Sequence, residues 1–246
     1  MKKDRRLSAI SLLMTACFLL PAGLLAEEAN ASLDSKQRDV VSIAAFTAVG
    51  DIENLRRALN DGLDDGLTVN EIGEILLQMY AYAGFPRSLN GMGLLSEVLE
   101  ERQAKGIRDP YGTEPEPLPE DADRYGMGVS NLGVLMGFPL NQRKAETNGY
   151  GEAMDAFLKE HLFADIFGRD NLSFDMRELA TVGALSGLEG TNSQLMFHMN
   201  AAMNCGVTEG QMNHFVAIIG EELGTERESN AKSVLMQVLE RRRGMN

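Results

Sequence analysis

Three histidines and two cysteines are the side chains best suited to chemistry in this 246-residue chain. His198 lies in a run rich in Met and Ala, LMFHMNAAMNC, and Gln194 stands one turn before it on the same helical face, placed to bond the ring or a shared ligand. An imidazole ionises near pH ~6.5, so it can give or take a proton around neutrality. His161 falls near the end of a helix-like stretch, Gly151–Phe163, and is expected to be exposed. His214 falls beside the apolar stripe of a later helix, where an interface or surface residue belongs. Cys205 ends the His198 helix just before Gly206, and Cys17 is far upstream, so no Cys-x-x-Cys pair exists. The bland reading of Cys205 is a small buried residue at a helix end. Glu221 and Glu222 are paired carboxylates, but neighbours on a helix point about 100° apart and no nearby His stands at helical spacing. No metal site is expected. Phosphate loops, nucleophilic-serine elbows and GxGxxG fingerprints are also missing from the sequence.

The elements that must position these residues follow an N-terminal address. Residues 2–6, KKDRR, precede an apolar run from Leu7 to Ala26, and Ala29-Asn30-Ala31 supplies the small-x-small pattern of a cleavage site. This reads as a secretory signal peptide over residues 1–31, with a periplasmic or secreted product and no stable membrane insertion after cleavage. An uncleaved anchor and a lipoprotein at Cys17 stay open, opposed by Pro21 and Gly23 and by the apolar continuation from Phe18 to Ala26. Cleavage removes Cys17 and leaves Cys205 alone, so the mature chain can form neither an internal disulfide nor a dithiol centre. With 36 acidic against 23 basic residues, the chain is repelled by nucleic acid and by anionic membranes.

The rest is built on a repeat. Gly50, Gly66, Thr68, Gly84, Asn90, Val98, Leu99 and Glu100 recur 140 residues later as Gly190, Gly206, Thr208, Gly224, Asn230, Val238, Leu239 and Glu240, and Arg38 recurs as Arg177 at 139. Each copy reads as helical. In the first, VVSIAAFTAV runs into Gly50 and a second helical stretch reaches Gly66. Thr68 then opens a third helix as N-cap, with Glu71 three residues on and a buried stripe at Ile72, Ile75, Leu76 and Met79. Gly84 stops it and Pro86 begins a fourth helix, to about Lys105. In the second copy the helices fall at Met176–Leu188, Asn192–Cys205, Glu209–Leu223 and Glu226–Arg243. The units span 32–108 and 127–246, joined by a Pro-rich acidic connector over 109–126 that reads as extended and solvated. Met127–Phe138 and Tyr150–Phe167 are apolar enough to add a helix or two to the second unit.

Two strings, LDSKQRDVVSIAAFTAVGDIENLRRALNDGLDDGLTVNEIGEILLQMYAYAGFPRSLNG and FDMRELATVGALSGLEGTNSQLMFHMNAAMNCGVTEGQMNHFVAIIG, resemble the carboxymuconolactone decarboxylase family, which includes the alkylhydroperoxidase-D-type proteins. The R-[ED] helix start, the H-x3-A-x3-G-[VL]-T helix end and YAG-[FV]-P carry the resemblance. It implies an all-α fold of two repeated alkylhydroperoxidase-D-like helical units in one fused bundle. It also implies self-association, as a trimer of tandem units. The peroxidase branch needs C-x-x-C followed four residues later by His. Those cysteine positions hold Thr191 and Gln194 in one unit, and Asp51 and Asn54 in the other, where Ala58 stands for the His. Thiol peroxidase chemistry is therefore not expected.

The decarboxylase branch uses neither cysteine, metal nor cofactor. There the resemblance gives His198 the role of proton shuttle, with Glu178 orienting or charging the ring across a helix hairpin and Gln194 assisting. Loss of CO2 from a lactone acid leaves an enolate whose charge must be stabilised and whose carbon must receive a proton. The first unit keeps Glu53, and Tyr80, Tyr82 and Glu222 are candidates to line the pocket. Two readings follow: a cofactor-free enzyme acting on a small organic or lactone acid, or a non-catalytic helical binding and assembly module of the same fold.

Overall fold

The computed structural model describes residues 32–140 and 149–244, and within these every regular element is a helix. The expected leader over residues 1–31 lies outside them. No helix among the described residues is long and apolar enough to cross a membrane.

Two helices make the centre. Helix α1, Ser35–Val49, is buried continuously from Asp39 to Ala48. It is apolar nearly all round, as a helix surrounded by others must be. Asp34 caps its start, accepting from the Gln37 N–H at 2.8 Å, and Gly50, at φ 78, ends it in the left-handed region. Around α1 stand α2 (Ile52–Asp64), α3 (Val69–Gln78), the single turn α4 (Tyr80–Ala83) and α5 (Phe85–Ala104). The Thr68–Glu71 capping box forms at the start of α3, and Ile72, Ile75, Leu76 and Met79 are fully buried.

The second unit repeats this plan with α6 (Arg124–Met136), α7 (Gly149–Ala156), a π-helical continuation (Phe157–Ile166), α8 (Phe174–Gly187), α9 (Asn192–Asn204), α10 (Glu209–Leu223) and α11 (Thr225–Gly244). Helix α8 is the counterpart of α1 and packs directly on it. A Cβ at Gly183 would stand 2.8 Å from the Val41 carbonyl oxygen, so glycine sets how closely the central helices approach. One apolar core runs through both units, from Val40 and Phe46 to Leu179, Phe215 and Val238. The two repeats form a single packed body.

The added segment packs on α9 through Leu135, Phe163, Ile166, Phe167 and Ala201. Its π-helical winding was not expected. Gly128 permits the contact, because a Cβ there would fall 1.8 Å from the Lys159 carbonyl oxygen.

The connector is extended and mostly exposed, as expected, but it is anchored at its start. Its Pro110 and Tyr111 carbonyls accept from the Val69 and Asn70 N–H groups at 3.0 and 2.9 Å, satisfying the first turn of α3. Asp109 grips the buried Arg102 guanidinium through Nε and Nη2. The connector also ends early, because Asp123 accepts from the Gly126 N–H and caps α6, which takes Arg124–Gly126 into helix.

Candidate active site

Helices α8 and α9 form an antiparallel hairpin. Thr191 closes its loop by donating to the Leu185 and Leu188 carbonyls at 3.1 and 3.2 Å. Across this hairpin the His198 Nδ1 meets Glu178 Oε2 at 2.8 Å, with the glutamate side chain fully buried and the imidazole nearly so. Arg177, just before Glu178, is also buried and bonds Glu74, Gln78 and the Arg169 carbonyl. That network fixes the first turns of α8, and with them the Glu178 carboxylate.

The imidazole is enclosed edge-on by two aromatic rings, Phe197 at 4.9 Å and Tyr82 at 5.7 Å between centroids. Glu178 Oε1 is buried here without a hydrogen-bond partner, and the Tyr82 hydroxyl is buried beside Thr181. Burial, and then the charge of Glu178, push the Tyr82 phenol upward, so it stays protonated and can donate. Cys205, at the end of α9, has its thiol pushed up to about 11 by burial and then by Glu178 and Asp175. A thiol so placed is a poor nucleophile near neutral pH. When Glu178 is ionised it takes the Nδ1–H, and Nε2 is left with the lone pair of a base. Phe197 and Met196 also line a neighbouring cavity of about 600 Å³ with Val238 and Arg241.

Of the residues expected at this site, the structure brings together His198, Glu178 and Tyr82 and leaves the others elsewhere. Gln194 lies on the exposed first turn of α9 and accepts from the Ser193 hydroxyl at 2.8 Å, so it assists neither the ring nor a ligand beside it. Glu53 is exposed in the first turn of α2. Tyr80 stacks on Phe85 at 4.6 Å and leans on His161 at 5.6 Å, because residues two apart on a helix point about 200° apart and only Tyr82 can face α9. His161 is exposed and pairs with Asp165 at 2.9 Å. His214 is half-buried, its Nδ1 accepting from the Leu33 N–H at 2.9 Å. Glu222 does not reach His198. It accepts from the Ser42 hydroxyl at 3.0 Å and from Arg57 at 2.6 Å, in a different cavity.

That cavity is the repeat's other copy of the site. The spacing of 140 puts Ala58 where His198 stands and Glu222 where Tyr82 stands, and the spacing of 139 puts Asp39 where Glu178 stands. Each site is completed by a side chain from the opposite unit, Tyr82 beside His198 and Glu222 beside Ala58. Asp39 was missed as a site residue. The Arg38–Arg177 register already pointed to it, because the residue after each arginine is the acid of the R-[ED] helix start.

Fold and site together define a tandem all-helical protein with one buried Glu–His pair and one altered copy of it. The family model for the carboxymuconolactone decarboxylase family matches residues 12–97 and 152–237, and the chain belongs to that family. It is 34% identical over 64 residues to a 4-carboxymuconolactone decarboxylase of Acinetobacter baylyi, a stretch covering 26% of this chain and 48% of that protein. The chain thus spans about half the length of the curated relative it matches.

Proposed function

We propose that this is an exported, cofactor-free enzyme of the carboxymuconolactone decarboxylase family in which His198 shuttles a proton on a small organic acid. The buried Glu178–His198 contact, with Glu178 Oε1 sealed beside it and without a hydrogen-bond partner, supports this reading most directly. Sealed polar atoms without partners are costly in a purely structural site and useful in one that receives a polar ligand. In a lactone-acid decarboxylation the bond to the carboxylate breaks and its electron pair enters the lactone enolate. His198, protonated at Nε2 from solvent and held as imidazolium by Glu178, then gives that proton to carbon and returns to the neutral base, while Tyr82 donates to the developing oxyanion.

4-Carboxymuconolactone, the substrate in the relative's name, and other lactone acids are the compounds to try. With a turned-over acid, His198→Ala should lose about 10²–10⁴-fold in rate while the fold survives, since helices accept alanine readily. Glu178→Gln should lose less, keeping a hydrogen bond but not the charge. An unchanged rate in His198→Ala, or its unfolding, would make the pair structural. The assembly-module reading draws on one observation, the close edge-on enclosure of the ring by Phe197 and Tyr82.

Export follows from the leader pattern, and self-association is supported by exposed apolar side chains at Phe85, Leu89, Tyr150 and Phe157. Intact mass and light scattering on protein recovered from the periplasm test both. A chain keeping Met1, or a monomer, would refute the corresponding part.

A further inference from the structure

The cavity around Ala58 has chemistry opposite to that of its His198 counterpart. It encloses about 420 Å³, enough for a small molecule, and carries Asp39, Asp61, Asp65, Asp34 and Glu222 against two guanidiniums, Arg38 and Arg57. Asp65 occupies the position that Cys205 holds in the other unit.

Most of these charges are engaged. Arg57 pairs with Glu222 at 2.6 Å and with Asp61 at 3.4 Å, and Arg38 turns to Glu221 at 2.7 Å. Asp34 is occupied as the cap of α1. The His214 Nδ1 is occupied by the Leu33 N–H at 2.9 Å. Asp39 and Asp65 are left without a cation. Asp39 is only 6% exposed, and its carboxyl hydrogen-bonds that of Asp65, so the two share a proton in place of a cation. Burial first, then Asp65 and Asp61, push this carboxyl up to about 7, with Arg38 opposing.

We propose that this cavity binds a small organic cation, a primary ammonium or a guanidinium, held by Asp39 and Asp65. An ammonium would replace the proton that Asp39 and Asp65 share, and it brings the positive charge that the paired arginines do not supply. A metal ion fits less well, because among the described residues no three His, Cys, Asp or Glu side chains are grouped to hold one. The inference is independent of catalysis at His198. Because the cation requires an ionised Asp39, its binding is linked to loss of a proton.

Titration calorimetry of the whole chain with butylammonium chloride tests this, with butyrate and magnesium chloride as contrasts. At pH 6 and pH 8, each in two buffers of different ionisation enthalpy, butylammonium should bind saturably, about tenfold more tightly at pH 8. Proton release should be seen at pH 6 and be nearly gone at pH 8. Asp39→Asn, an isosteric change, and Asp65→Asn, at an exposed position, should each weaken binding at least tenfold while keeping a cooperative thermal transition. His198→Ala should bind the cation normally, which separates this site from the catalytic reading. The proposal is overturned if butylammonium fails to saturate at either pH, if magnesium or butyrate binds in its place, or if binding survives Asp39→Asn.

Discussion

Asp39→Asn should also change how stability depends on pH, and the sign is fixed by the direction in which the fold moves this carboxyl. Its ordinary value is 3.8 and its folded value is about 7. Below about pH 4 the group is protonated in both states and costs nothing. Between about 4 and 7 the unfolded chain ionises while the folded chain keeps the proton, so stability falls as pH rises, and above about 7 the whole cost is present. A displacement of that size corresponds to ~4 kcal/mol at about 1.4 kcal/mol per pH unit. The cavity opens to solvent, and its water screens the carboxylate, so about 1–2 kcal/mol is the expected part. Urea unfolding at pH 4, 5.5, 7 and 8.5 measures it. The difference between wild type and Asp39→Asn cancels the self-repulsion of an acidic chain, which both share. That difference should be near zero at pH 4 and grow to favour the variant by pH 8.5. Parallel profiles, or a variant less stable than wild type at pH 8.5, would refute the assignment of burial and carboxylate crowding to Asp39.

Two glycines should respond in opposite directions to alanine. Gly183→Ala, whose Cβ would meet the Val41 carbonyl at 2.8 Å, should destabilise by about 1–3 kcal/mol, whereas Gly93→Ala on α5, with open space around its Cβ, should stabilise by about 0.5–1 kcal/mol; thermal unfolding of both variants checks this. The Cys205 thiol, pushed up to about 11, should react with a disulfide reagent at pH 8 at least ~10-fold more slowly in the folded chain than in urea, and Cys205→Ser should leave any turnover of a lactone acid unchanged.

What could be read from the sequence was local or periodic. The Thr68–Glu71 box and the Ile72, Ile75, Leu76, Met79 stripe depend on side chains within two or three turns, and both stand in the structure as read. The Glu178–His198 contact is 20 residues apart across one hairpin, short enough for family motifs to bring the two together. Other residues failed for identifiable reasons. Helical spacing put Gln194 on the face of His198, but spacing does not say where a covering helix stops, and the first turn of α9 is open to solvent. The connector's carbonyls cap α3, and nothing in a Pro-rich acidic run encodes which helix start it will satisfy. Glu222 was a candidate to line the pocket of His198, yet α10 also packs on α1 and delivers it to the cavity around Ala58.

That exchange across units bears on how the two sites came to differ. When identical subunits associate, a substitution beside one site appears beside every copy, so one site cannot change while its twin is kept. In a fused tandem chain each copy is encoded separately. Here the central packing of α1 on α8 is retained by both units, with Arg38 and Arg177 opening the corresponding helices. The site residues have diverged: His198 against Ala58, Glu178 against Asp39, Tyr82 against Glu222, and Cys205 against Asp65. The second unit surrounds an imidazole with aromatic rings and gives it one buried carboxylate. The first unit removes the imidazole, opens a cavity of about 420 Å³ and fills its walls with carboxylates. A single unspecialised loss would explain Ala58 alone. It does not explain a buried Asp39 carboxyl that Asp65 both crowds and hydrogen-bonds, an arrangement that disfavours ionisation and that neutral side chains would avoid.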